Sequence, residues 1–244
     1  MTPRLIARLD VKNEHLIKGI QLEGLRKLGS PNGYARKYYD EGIDEILYMD
    51  AVASLYERNS LQGVIGETVE NVFCPVCVGG GIRTVDDVNS MLRTGADKVA
   101  VNTAAIRNPG VIDKIANAFG SQCMVLSVEA KRNGSGWECY IDNGREHTGR
   151  KVLDWVQEAE DRGAGEILLT SVDQEGTRKG FDIDLIGEVT DAVSIPVIAS
   201  GGAGCADHVS TLFQQTNVSA AAIAYVLHYD TVSVPELRSA ALVA

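Results

Sequence analysis

No apolar run in this sequence reaches the ~18 residues that a membrane span requires. The start, Met1-Thr2-Pro3-Arg4, lacks the charged stretch and apolar segment of a secretory signal. Histidine is scarce, at 4 residues, and no two have helical metal-ligand spacing, which argues against a zinc site. The 5 cysteines are odd in number and irregularly spaced. That points away from a disulfide framework and toward a reduced, cytoplasmic setting. Cys74-Pro75-Val76-Cys77 matches C-x-x-C, but it falls in an expected strand, where residues three apart face opposite sides. Core cysteines are therefore preferred over a redox or metal pair. Positive charge is short too: 23 Lys and Arg against 33 Asp and Glu leave a net charge of −10. A nucleic-acid scaffold would normally show a basic face. Anion binding is not excluded, because backbone N–H groups need no net positive charge. Low-complexity segments and linkers are also missing.

What is present fits a buried-core protein: 45% hydrophobic and 23% charged residues in a chain of 244. Short apolar runs at 5–10, 45–50, 75–79, 98–102, 124–129, 166–171, 196–200 and 220–224 read as eight strands. Amphipathic segments at 32–41, 85–94, 111–119, 151–162, 184–191 and 208–214 lie between them, and a helical run at 234–242 follows. This alternation implies an α/β fold with a parallel sheet and helices outside. Eight repeats permit closure into a single (β/α)8 TIM barrel, for which roughly 250 residues is typical. An open doubly wound sheet is the alternative.

A long-period repeat supports two half-barrels, about 1–121 and 122–244, in one domain spanning 1–244. Gly42-Ile43-Asp44-Glu45-Ile46-Leu47 recurs as Gly163-Ala164-Gly165-Glu166-Ile167-Leu168, and Pro75…Gly81 recurs as Pro196…Gly202. Both pairs are 121 residues apart, counted from Gly42 to Gly163 and from Pro75 to Pro196. The stretches 11–31 and 132–150 read as long irregular loops, on the face where barrel enzymes keep their chemistry.

Two glycine clusters stand half a chain apart. Gly79-Gly80-Gly81 pairs with Asn102-Thr103, and Ser200-Gly201-Gly202 pairs with Ala224-Tyr225. Glycine lets the backbone approach an oxyanion, and N–H groups at the following helix starts donate to it. Two such sites imply a substrate phosphorylated at both ends; tight turns are the plainer explanation. Asp10, Asp50, Glu129 and Asp173 fall at or just past strand ends, with Glu175 beyond. Asp10 and Glu129 hold matching places in the two halves, as acid–base partners across the mouth would. Any one of these acids could instead cap a helix. Arg4, Glu45, Lys98 and Glu166 sit at strand starts and could close a salt-bridge ring at the barrel bottom, or form plain surface ion pairs.

The chain resembles a known family, the cyclase subunit of imidazole glycerol phosphate synthase (HisF). The resemblance rests on Leu9-Asp10-Val11 with Ile17-Lys18-Gly19, on Val78-Gly79-Gly80-Gly81-Ile82 and on Gly95-Ala96-Asp97-Lys98-Val99. Gly163 to Leu169, Gly176-Thr177…Gly180-Phe181-Asp182 and Ser200-Gly201-Gly202-Ala203-Gly204 extend it over nearly the whole chain. It implies a bisphosphorylated substrate, phosphoribulosyl formimino aminoimidazole carboxamide ribotide, and no cofactor or metal. It implies ammonia from a glutaminase subunit docked on the barrel bottom. By this resemblance Asp10 is a catalytic acid and Lys18 holds substrate. Arg4, Glu45, Lys98 and Glu166 form the ammonia gate, and Asp97 touches the glutaminase. Gly176 and Thr177 join the substrate-binding set. Glu129 and Glu175 stand where the family has aspartates, Arg8 where it has a small or neutral residue, and Tyr225 where it has a small one. Arg8 is expected to pair with the two longer acids. These departures raise an alternative: an ammonia-channelling partner of an enzyme that amidinates a surface sugar. A related sugar isomerase of the same pathway is a further alternative, which would not need the gate.

Overall fold

The apolar runs 46–48 and 167–169 are buried on both faces, as strands between outer helices and a filled barrel interior must be. The computed structural model describes residues 3–51 and 61–242. Met1 and Thr2 lie outside them.

Strand β1 (Arg4–Lys12) is followed by an antiparallel hairpin, β2 (His15–Ile20) and β3 (Glu23–Gly29). Helix α1 (Pro31–Asp40) leads to β4 (Glu45–Asp50), α2 (Gln62–Val69) to β5 (Val76–Gly79), and α3 (Val85–Thr94) to β6 (Lys98–Val101). Short α4 (Thr103–Arg107) and α5 (Gly110–Phe119) precede β7 (Met124–Asn133). A second hairpin follows, β8 (Gly136–Ile141) and β9 (Glu146–Lys151). Then come α6 (Val152–Asp161), β10 (Glu166–Ser171), α7 (Ile183–Ala192), β11 (Val197–Ser200), α8 (Ala206–Gln215) and β12 (Ala220–Ile223). Helices α9 (Tyr225–His228) and α10 (Val234–Leu242) end the described chain.

Strands β1, β4, β5, β6, β7, β10, β11 and β12 pair in parallel in that order, and β12 pairs back to β1. The result is a closed (β/α)8 barrel, not an open sheet. Its bore is packed by inward side chains including Ile6, Leu47, Val125, Leu168 and Ile198. Each contributes on the order of 1.5–3 kcal/mol by leaving water. A second, larger core lies between strands and helices. Cys77, in β5, faces the bore, while Cys74 precedes the strand and packs on the outer core, so only one of the C-x-x-C cysteines is a strand residue and the two belong to different cores.

The stretches expected to be irregular are not. Residues 11–31 and 132–150 form the two hairpins, one extending β1 and the other β7. Strands β1 and β7 thus carry the same elaboration. The hairpins meet over the mouth, where Asn143 Nδ2 donates to Leu22 O at 3.2 Å.

Candidate functional site at the barrel mouth

The glycine clusters take conformations that need glycine. Gly80 has φ +94°, and a Cβ there would lie 2.4 Å from the Asp50 carbonyl oxygen. Gly202 has φ +105°, and a Cβ there would lie 1.9 Å from the Gly180 carbonyl oxygen. The two cradles nevertheless differ. The first, with Asp50, Gly80, Gly81, Asn102 and Thr103, opens on a cavity of about 250 Å³ that also reaches Arg8, Asp10 and Glu129. The second, with Lys18, Gly176, Ser200, Gly201, Gly202, Ala224 and Tyr225, encloses about 10 Å³. That is room for roughly one water, not a phosphate. Arg178, its guanidinium 5.1 Å from the Tyr225 ring centre, sits beside it, and Gly180 N donates to Gly202 O at 2.9 Å. Side chains and loop must part before an anion enters.

The acids at the mouth are buried and unequal. Asp10 Oδ1 accepts from Arg8 Nε at 2.9 Å, and Asp10 Oδ2 lies 3.7 Å from Lys18 Nζ. Burial pushes the Asp10 carboxyl up, but Arg8 and Lys18 outweigh it and hold the group below the usual carboxylate range. Glu129 has no cation in salt-bridge reach among the described residues; its Oε2 accepts from Gly144 N at 2.8 Å. Burial raises it to about 7, with the Gly144 bond and the charge of Arg8 only partly opposing. Glu175 is paired with Lys18. The expectation that Arg8 binds the longer acids is therefore corrected. Arg8 pairs with Asp10, two residues along the same inward face, and Glu175 takes Lys18 instead. Its remaining bonds go from Nη1 to Thr170 Oγ1 at 2.9 Å and Ser200 Oγ at 3.0 Å.

At the opposite end, four charges close a ring. Arg4 bonds Glu45 at 3.0 Å and pairs with Glu166. Lys98 reaches Glu45 at 2.7 Å and Glu166 at 2.9 Å. Burial raises the Glu45 carboxyl, while the two carboxylates outweigh burial and raise Lys98. We take the ring as ionised, because contacts this short favour the charged pair. Both glutamates are buried, so these are not plain surface pairs.

Several expected residues also carry structural bonds. Asp173 lines neither cavity; its Oδ2 accepts from Arg132 N at 2.7 Å, bracing the second hairpin. Thr177 bonds within its own turn, to Gln174 O at 2.8 Å. Exposed Asp97 accepts from Val76 N at 2.8 Å, fixing the start of β5 beside the ring. Residues the sequence reading missed include Asn143, which lines the large cavity, and Gly144, which bonds Glu129. The run Asp142-Asn143-Gly144 is a turn signature that marked their place. Phe73, 75% exposed on the ring end just before β5, carried no sequence signal beyond its apolarity.

A closed parallel barrel with paired acids and glycine loops at the C-terminal ends of its strands defines a (β/α)8-barrel enzyme. Residues 4–233 match the family described as Histidine biosynthesis protein. The chain is 64% identical over 202 residues to the imidazole glycerol phosphate synthase subunit HisF of Legionella pneumophila, covering 82% of this chain and 95% of that protein. It is 46% identical over 239 residues to the same-named subunit of Myxococcus xanthus, covering 98% and 94%, and 46% identical over 238 residues to that of Streptococcus sanguinis, covering 97% and 94%. The chain belongs to the HisF family of imidazole glycerol phosphate synthase subunits.

Proposed function

We propose that this chain is the cyclase subunit, a lyase of histidine biosynthesis. It binds phosphoribulosyl formimino aminoimidazole carboxamide ribotide with one phosphate in each glycine cradle. Ammonia reaches it through the bore from a glutaminase subunit docked on the ring end, where Arg4, Glu45, Lys98 and Glu166 form the gate. The products are imidazole glycerol phosphate and aminoimidazole carboxamide ribotide. The two half-barrels, 1–121 and 122–244, each supply one cradle-forming pair of strands and one acid. Five free thiols fit a reducing cytoplasm.

One observation carries this reading: the closed charge ring at one end of the bore faces, along the same axis, a cavity holding two carboxyl groups pushed apart in acidity. Such a split assigns roles. Asp10, held as an anion, takes a proton from the attacking nitrogen, and Glu129 donates one. Glu175 holds Lys18 in place over Asp10. The test is turnover of that substrate with an ammonium salt at high pH, with no partner present. Turnover is expected, and Asp10→Asn should remove it while leaving substrate bound. A wild-type protein that binds the substrate but never closes the ring would refute the cyclase role.

The Arg8–Asp10 ion pair favours a second reading, in which the barrel conducts ammonia to another enzyme that amidinates a surface sugar. If wild type is inactive but Glu129→Asp combined with Arg8→Cys closes the ring, this second reading replaces the first.

A further inference from the structure

Arg8 occupies the inward face of β1 two residues above Ile6, where the apolar bore ends and the mouth begins. It is 3% exposed. Three of its five N–H donors are engaged: Nε–H by Asp10, and both Nη1 hydrogens by Thr170 and Ser200. The two donors of Nη2 have no acceptor among the described residues, and that nitrogen is not sealed from the cavities that Arg8 lines. Thr170 and Ser200 on β10 and β11 fix the plane of the guanidinium, so the direction of the free donors is set by the barrel wall. A buried polar group with unused donors calls for an acceptor, and here the ligand must supply it.

Arginine stays protonated at every working pH, so this group cannot act as a base; what it offers is fixed positive charge and a planar fork. We propose that Arg8 is a catalytic residue whose Nη2 donors bind the ribulosyl carbonyl oxygen and stabilise the charge that grows there when ammonia adds. The assignment rests on the substrate named above. The place is right for it, because ammonia leaving the bore meets the substrate at the level of Arg8. The ammonia lone pair forms a C–N bond, and the C=O π electrons move onto oxygen, held by Nη2. Asp10 takes the surplus proton from nitrogen, and Glu129 protonates the oxygen. The carbinolamine then loses water: its hydroxyl takes the proton on Asp10 and leaves, while nitrogen returns a proton to Glu129. An imine remains, both acids are restored, and no oxidant or reductant is needed. Donors aimed at a developing oxyanion are worth roughly 10²- to 10³-fold in rate.

The experiment has two arms on the full chain. In the first, Arg8→Lys and Arg8→Met are assayed with ammonium salt as nitrogen source. Lysine keeps a cation beside Asp10 but loses the second fork, and kcat should fall about 10²-fold or more while KM rises by no more than the roughly tenfold that one ground-state hydrogen bond is worth. Unchanged kcat, or a loss confined to KM, overturns the proposal. In the second, ribulose 1,5-bisphosphate and inorganic phosphate are titrated calorimetrically. Arg8→Lys should weaken the ketose bisphosphate roughly tenfold, the loss of one charge-assisted hydrogen bond, and leave phosphate binding unchanged. Equal losses for both ligands, or none, overturn it. If wild type turns nothing over, the cyclase reading falls, and the titration alone decides the role of Arg8.

Discussion

Two carboxyl groups share the mouth, and their surroundings push them in opposite directions. Asp10 has Arg8 and Lys18; Glu129 is buried with a backbone amide as its partner. The longer glutamate side chain lets the carboxylate reach Gly144 N on the β8–β9 turn, away from both cations. Its stability cost depends on pH. A carboxyl at about 7 when folded, against an ordinary 4.5, binds more protons folded than unfolded between those values. Its burial therefore destabilises the fold increasingly as pH rises from 4.5 toward 7, and fully above that, by about 3 kcal/mol. Glu129→Gln keeps the acceptor for Gly144 and removes the titration. Urea unfolding should show the variant gaining about 3 kcal/mol on wild type between pH 4.5 and pH 8. A pH-independent difference would mean that Glu129 is not raised.

At the scale of elements, loops and hairpins carry the site while strands hold it in place. The two glycine-rich turns leave no room for a side chain at Gly80 or Gly202. Gly202→Ala puts a Cβ into the Gly180 carbonyl at a left-handed φ, whereas Gly24, also left-handed at φ +64°, has nothing within 4 Å. We expect Gly24→Ala to cost about 1 kcal/mol, the strain of the left-handed region alone. Gly202→Ala should cost at least twice that and weaken binding of a bisphosphate. Equal losses in thermal unfolding would show that the loop yields freely. The same contrast explains what sequence revealed. Helix α3 is legible in the sequence because the Thr84 and Asp87 capping box opens it and Gly95, at φ +115°, closes it. Strand runs read well because both faces are apolar. The first hairpin was invisible because its turn uses left-handed Gln21 and Leu22, residues that carry no turn signature. The second is marked by Asn133-Gly134 and Asp142-Asn143-Gly144, turn signals that equally suit one long irregular loop. Helix α2 was missed because Gly63 and Gly66 dilute its pattern. The acids and glycines of the site were named from spacing and resemblance. Which cation faces which acid was not, because pairings across the barrel depend on rotamers that no linear pattern encodes.

At the scale of the whole molecule, the barrel has two ends joined by a packed bore, and the proposed function gives each end a separate task. On that proposal, chemistry at the mouth depends on the ring end only through delivery of ammonia. The ring end presents Phe73 to solvent, stacked edge-on to Tyr39 with ring centres 6.0 Å apart. An aromatic this exposed beside a buried charge ring has the character of an interface anchor. Asp97 lies on the same rim, but one of its oxygens holds β5 through Val76 N. Asp97→Ala would mix a docking effect with a folding one, so Asp97→Asn is the cleaner change, since its remaining oxygen can still accept that bond. With a glutaminase partner present, Phe73→Asp should cut glutamine-dependent turnover by about tenfold or more, because an interface anchor is worth roughly 2 kcal/mol, and Asp97→Asn should cut it less. Neither should change ammonium-dependent turnover or the unfolding midpoint by more than a small margin, because neither side chain reaches the bore. Titrating the partner distinguishes a docking defect, which excess partner overcomes, from a broken passage, which it does not. Parallel loss of both activities would mean that the two ends are coupled through the packed bore rather than joined only by ammonia.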